Sequence, residues 1–224
     1  MDGQLEQALR DGWASACQLY QHLQNGGDLT VMPPGAVRLE PDELPYAEAV
    51  LGYARYYGMS VTYERSSMFL LGSATFVAAG LAANAIANSS AKSRAAAQAA
   101  TQWRDHAHVR TILTNKRFLC DYGGRWLSFW HEGIVEFQGD MAQLLFVLRY
   151  QVGDPMMLHG PAAPWFAVSV AHLVYGPSGL QLPALAALAR SVAEAKAAVR
   201  DRRIISGGIV PGSRSDGPPA LPPA

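Results

Sequence analysis

Asp105-His106-Ala107-His108 sets two imidazoles two positions apart, so on an extended strand both project to one side and are spaced to share a metal ion. A protein metal site needs further donors. None stands at a recognisable spacing from this pair, and His131-Glu132 and His159 fall at turns elsewhere, so the fold would have to assemble any such site. Taken by themselves the four residues read as the start of a strand, and no metal and no cofactor is assigned. The motifs of covalent and phosphoryl chemistry are missing, since the sequence holds no GxSxG, Walker, Rossmann or HExxH pattern. Cys17 and Cys120 have no neighbouring histidine or basic cluster to activate them. The stretches Tyr122-Gly123-Gly124 and Ser206-Gly207-Gly208 are too short to cradle a phosphate. No catalytic residue is nominated, and an enzyme, metal-dependent or otherwise, ranks third among the readings.

The elements that must carry these residues follow from composition and pattern. With 224 residues, 50% of them apolar, the chain can bury a full core in one domain with appended helices. Its 18 basic and 18 acidic residues cancel, which argues against a nucleic-acid partner, because neutralising phosphates requires a basic excess. Two cysteines far apart in sequence encode neither a disulfide framework nor a zinc module and suit a reducing cytosol. The first residues, MDGQLEQALRDGW, lack the basic-then-apolar layout of a secretory signal.

Leu5, Leu9, Trp13, Ala16, Tyr20 and Leu23 recur at steps of four and three, predicting an amphipathic helix within 1–27. It lies against its own domain or serves as a docking arm. From Tyr46 the pattern turns to β, with AEAVLGYARYYG and SVTYER. Beyond the apolar stretch that follows come HVRTILT, RFLCDY, RWLSFW, GIVEFQ, LLFVLRYQV and PMMLHG, separated by short Asn- and Gly-bearing breaks that favour hairpins. Pro161-Ala-Ala-Pro164 opens a helix that Gly176-Pro177 ends. A second helix follows over 180–204, and the Gly-, Pro- and Ser-rich tail 205–224 reads as disordered.

This order predicts an α+β fold, a small antiparallel barrel or sandwich capped by a helix. TILTNKRFLCDYGGRWLSFWHEGIVEF, followed by PMMLHGPAAPWFAVSVAHLVYG, resembles the bacterial pleckstrin-homology-like (PH-like) domains of uncharacterised actinobacterial proteins, from about Val37 to Gly176. The resemblance implies a PH-like domain over 37–176 with a helical insertion at 66–102. Thr114-Asn115-Lys116-Arg117 would be a strand turn, Trp126 and Trp130 would face the sandwich or its rim, and Gly160-Pro161 would launch the capping helix. Eukaryotic relatives bind phosphoinositide headgroups through a basic cluster between the first two strands. Tyr57-Gly58-Met59-Ser60 has no Lys or Arg, a departure that argues against headgroup recognition here.

The apolar stretch is the most distinctive feature. Met68 to Ala87 gives about 20 residues without a charge, just enough to span the hydrocarbon of a bilayer as a helix. Phe69, Leu70, Leu71, Phe76, Val77, Leu81 and Ile86 favour insertion by roughly 2 to 4 kcal/mol in total, and Gly72, Ser73, Thr75, Gly80 and Asn84 oppose it. On a helical wheel Phe69, Leu70, Phe76, Val77 and Leu81 form a bulky arc, whereas Gly72, Thr75, Ala79 and Ala83 form a flat one that lets two backbones approach. If strands before and after belong to one sheet, both ends return to one body and a single crossing is not the whole arrangement. Arg55 and Arg65 before it, and Lys92, Arg94 and Arg104 after it, suit two ends on the cytoplasmic face of an anionic membrane.

The leading expectation is therefore a non-catalytic PH-like scaffold or adaptor, membrane-associated at the cytoplasmic side through a re-entrant or transmembrane helix. Its association residues would be Phe69, Leu70, Gly72, Phe76, Val77, Ala79, Gly80, Leu81 and Ala83. Its partner would be membrane lipid without headgroup specificity, or another protein. The alternative is a soluble cytoplasmic binding domain that forms a homo-oligomer through this segment. Trp103, Trp126, Trp130 and Trp165 read as core or rim residues, with an interfacial aromatic belt as the other reading.

Overall fold

A computed structural model describes residues 2–58 and 100–207. These form an α+β fold in which seven antiparallel strands make one sheet curled into a half-barrel. The strands are β1 (Pro45–Tyr57), β2 (Gln102–Thr114), β3 (Arg117–Tyr122), β4 (Arg125–Trp130), β5 (Ile134–Asp140), β6 (Leu145–Tyr150) and β7 (Met156–His159), in the spatial order β4-β3-β2-β1-β7-β6-β5. Three helices flank them: α1 (Asp2–Gln24), α2 (Ala163–Tyr175) and α3 (Ala186–Gly207).

Local chemistry sets the connections. Gly123 and Gly124 both take positive φ, 60° and 82°, which a two-residue hairpin between β3 and β4 requires. Between β5 and β6 the Asp140 carboxylate accepts from the Ala142 and Gln143 amides and so starts the short 3-10 turn Met141–Gln143. β4 and β5 do not pair with each other, so they are the two free edges of the half-barrel, joined by the 3-10 turn His131–Gly133.

Leu51, Tyr53, Val109, Leu113, Phe118, Phe146, Leu148 and Leu158 line the concave side and are buried. Helix α2 fills that side with Phe166, Ala167, Val170 and Ala171; burying each large apolar side chain contributes about 1.5–3 kcal/mol. Outside it α1 buries Ala16, Tyr20 and Leu23, and α3 adds Leu188 and Val192, all in the same cluster. The Tyr20 hydroxyl donates to the Leu180 carbonyl at 2.9 Å, which satisfies the polar end of a ring that this packing buries. Helix α1 thus packs on its own chain.

The turn Thr114-Asn115-Lys116-Arg117 joins β2 to β3, as the resemblance implies, and also clasps the segment before β1. Asn115 Oδ1 accepts from the Leu44 amide at 2.8 Å, and the Asn115 amide donates to the Leu44 carbonyl. Arg117 sends Nε and Nη2 to the two oxygens of Glu43, each at 2.9 Å, while the Thr114 hydroxyl donates to Glu43 Oε1. The Glu43 side chain is fully buried. Burial alone would raise its pKa, but bonds from Arg117, the Glu40 amide and Thr114 outweigh that and hold it below the usual value.

β2 begins at Gln102, well before the His108 at which alternation in the sequence placed it. The register shifts opposite Tyr53–Arg55, where Asp105 sits at φ 57°, and that β-bulge erases the period-two signal. Of the tryptophans singled out in the sequence, Trp103, Trp126 and Trp165 are half-buried and Trp130 is 37% exposed. The expected strand SVTYER, the association residues from Phe69 to Ala83 and the tail beyond Gly207 lie outside the described residues. No helix among the described residues is long and apolar enough to cross a membrane.

Candidate functional site at the root of the insertion

β1 and β2 stay paired to the last rung, Tyr57↔Gln102, so residues 58–101 leave and rejoin the sheet on adjacent strands about 4.8 Å apart. Side chains lock this root. Arg104 donates from Nε to the Tyr57 carbonyl and from Nη2 to the Ala100 carbonyl, each at 3.1 Å, with its guanidinium 5.7 Å from the Tyr57 ring centre. The Tyr57 hydroxyl donates to Asp105 Oδ1 at 3.0 Å, which pins the bulge and raises the phenol pKa. Tyr56 and Trp103 meet at 5.2 Å between ring centres.

The same end of the sheet presents amphipathic side chains outward. Tyr56 is 39% exposed, and Val152, in the turn between β6 and β7, is 89% exposed. That turn is tied to the root, because the Tyr56 amide donates to the Pro155 carbonyl and Arg55 Nη2 to the Asp154 carbonyl, both at 3.0 Å. Aromatic rings, an apolar tip and an arginine thus form a collar at this end of the sheet.

Beside the root, between the ends of β4 and β6, lies a cavity of about 380 Å³, lined among others by Arg55, Phe129, Trp130, Glu132, Tyr150 and Asp154. The Arg55 guanidinium lies 5.1 Å from the Phe129 ring centre and 3.5 Å from Asp154 Oδ2. Glu132 and Asp154 outweigh its single charge, so the cavity does not favour a phosphate group. Tyr150 Oη and Arg55 Nε are buried without a hydrogen-bond partner among the described residues, and burial pushes the Tyr150 hydroxyl pKa up.

The histidines separate into two environments. His131 is buried, with Nε2 3.0 Å from the Thr114 carbonyl, and burial pushes its pKa down to about 4, so it stays neutral and donates to that oxygen. His108 and His159 instead flank Gly52 on either side, in the pairs Gly52↔His108 and Gly52↔His159. Their ring centres are 6.5 Å apart at 64°. Partial burial lowers the His159 pKa, and the nearby His108 and His106 lower it further. The fold therefore supplies the neighbour for His106-His108 that no spacing in the sequence revealed. The one local signal is Gly52, a glycine inside a strand pattern, which marks a close approach. No three His, Cys, Asp or Glu side chains among the described residues are gathered closely enough to hold an ion as they stand.

Cys120 is buried and its thiol is pushed up to about 12 by that burial, which leaves essentially no thiolate at neutral pH. Desolvation also raises Cys17. No protein-family model, curated protein sequence or solved structure matches the chain.

Proposed function

We propose that the chain is a non-catalytic PH-like scaffold or adaptor module, held at the cytoplasmic face of a membrane by its apolar insertion. The observation that carries this reading is the Tyr57↔Gln102 rung: an apolar stretch whose two ends are adjacent on one rigid sheet must turn back on itself. A re-entrant or surface-lying helix meets that constraint and a lone crossing does not. The collar of Tyr56, Trp103 and Arg104 at the root, with Val152 beside it, supports an interfacial position for this end of the sheet. Seven antiparallel strands followed directly by a helix that fills their concave side support the PH-like assignment.

The partner is lipid without headgroup specificity, in keeping with a cavity whose two carboxylates outweigh its one arginine, or a protein recruited to the membrane. Fractionation of cells that express the full chain tests the reading. The protein is expected in the membrane pellet, released by detergent and not by high salt. Recovery in the high-speed supernatant as a stable oligomer would replace it with a soluble, self-associating binding domain.

A further inference from the structure

We propose that His106, His108 and His159 form a binding site for a divalent ion of the zinc, nickel or copper class. All three are on the sheet, two from β2 and one from β7, with β1 between them reduced to a hydrogen at Gly52. A Cβ at Gly52 would collide with the His159 ring, so the imidazole lies directly over this position and leans toward His108. His106 and His108 are exposed and His159 is half-buried, so an ion can reach them from solvent.

Three further features fit a metal. None of the three rings makes a hydrogen bond among the described residues, so their nitrogens are free to ligate. The bulge at Asp105, with φ 57° and held by the Tyr57 hydroxyl, re-aims the strand at His106, and bulges recur where a strand must redirect a functional side chain. The ring spacing is close to closing. With Zn–N bonds of about 2 Å, two ligated imidazoles hold their centres about 5 Å apart, so the His108 and His159 rings, now 6.5 Å apart, would have to draw together by about 1.5 Å to share an ion. In the present rotamers the set is open, and the ion would have to draw the three rings together. Imidazole donors without a carboxylate select zinc, nickel or copper over magnesium or calcium, and three of them leave a fourth position for water or a partner's donor.

The test uses the full chain, produced without a polyhistidine tag and stripped of metal with a chelator. Zinc chloride is titrated against a chromophoric chelator, and cobalt(II) is added separately for its visible spectrum. One equivalent of zinc should bind, with a cobalt band of tetrahedral or five-coordinate intensity. His106→Ala, His108→Ala and His159→Ala should each weaken binding about tenfold or more, whereas His22→Ala on α1 should not. Melting curves of the metal-free variants check that folding is kept. The cobalt spectrum of the unaltered chain tests the site even if a variant fails to fold. Absence of saturable binding, binding that survives the triple substitution, or indifference to His106→Ala would each overturn the three-histidine site.

Discussion

Tyr57 and Gln102 face each other across the last rung of the β1–β2 pair, although the whole of 58–101 separates them in sequence. Loop-closure entropy grows only slowly with length, so joining the two strands by a short turn should cost the fold little. Replacing 58–101 by Asn-Gly is expected to leave the sheet intact, with a circular dichroism spectrum rich in β structure and a cooperative melt. The shortened chain should be found in the supernatant after fractionation. Loss of folding would show that the segment contributes to the core.

Arg117 and Glu43 provide a sharper test of what holds the segment before β1. Removing one member of a buried ion pair strands the other, at a cost of about 3–5 kcal/mol. Arg117→Met is therefore expected to lower stability by that amount in urea unfolding, since the fully buried Glu43 would keep only Thr114 and the Glu40 amide. The double variant Glu43→Leu, Arg117→Met should recover much of the loss. Equal destabilisation in single and double variants would mean that the pair's charge does not matter.

How far the sequence reveals this molecule depends on whether a signal is local. Hairpin turns, the Pro-bounded helix α2 and the amphipathic face of α1 are written in adjacent residues, and they appear where the pattern puts them. The Glu43–Arg117 pair and the His108–Gly52–His159 row are not, because each depends on which strands become neighbours. The early start of β2 was hidden by one left-handed residue, Asp105, which breaks the alternation that strand recognition uses.

His131 makes stability depend on pH. The unfolded chain takes up this proton as pH falls through the ordinary imidazole value of 6.5, whereas the folded chain resists until about 4. Between those values the unfolded state binds more protons, so stability is complete above 6.5 and declines as pH drops toward 4, by about 3 kcal/mol in all. His131→Gln, which keeps a donor for the Thr114 carbonyl, should shrink the slope of unfolding free energy against pH in that window. An unchanged slope would place the proton elsewhere.

Gly12 and Gly52 both sit where a Cβ has no room, but what blocks it differs. At Gly12, on α1, the added carbon would run into the backbone carbonyl of Pro161, which is fixed by the turn that starts α2. At Gly52 it would meet the His159 ring, the end of a side chain that can swing aside. Alanine gains about 1 kcal/mol over glycine within a helix, and about 0.5–1 kcal/mol within a strand. Overpacking against an unyielding group costs about 1–3 kcal/mol, so the clash should win at Gly12 and Gly12→Ala should destabilise the fold by pushing α1 off α2. Gly52→Ala should leave stability nearly unchanged, because the propensity gain offsets the displacement of one ring. Its effect should appear in the imidazole NMR signals of His108 and His159, which would lose their mutual ring-current shifts. Equal stability losses in the two variants would mean that His159 is as firmly held as the Pro161 backbone.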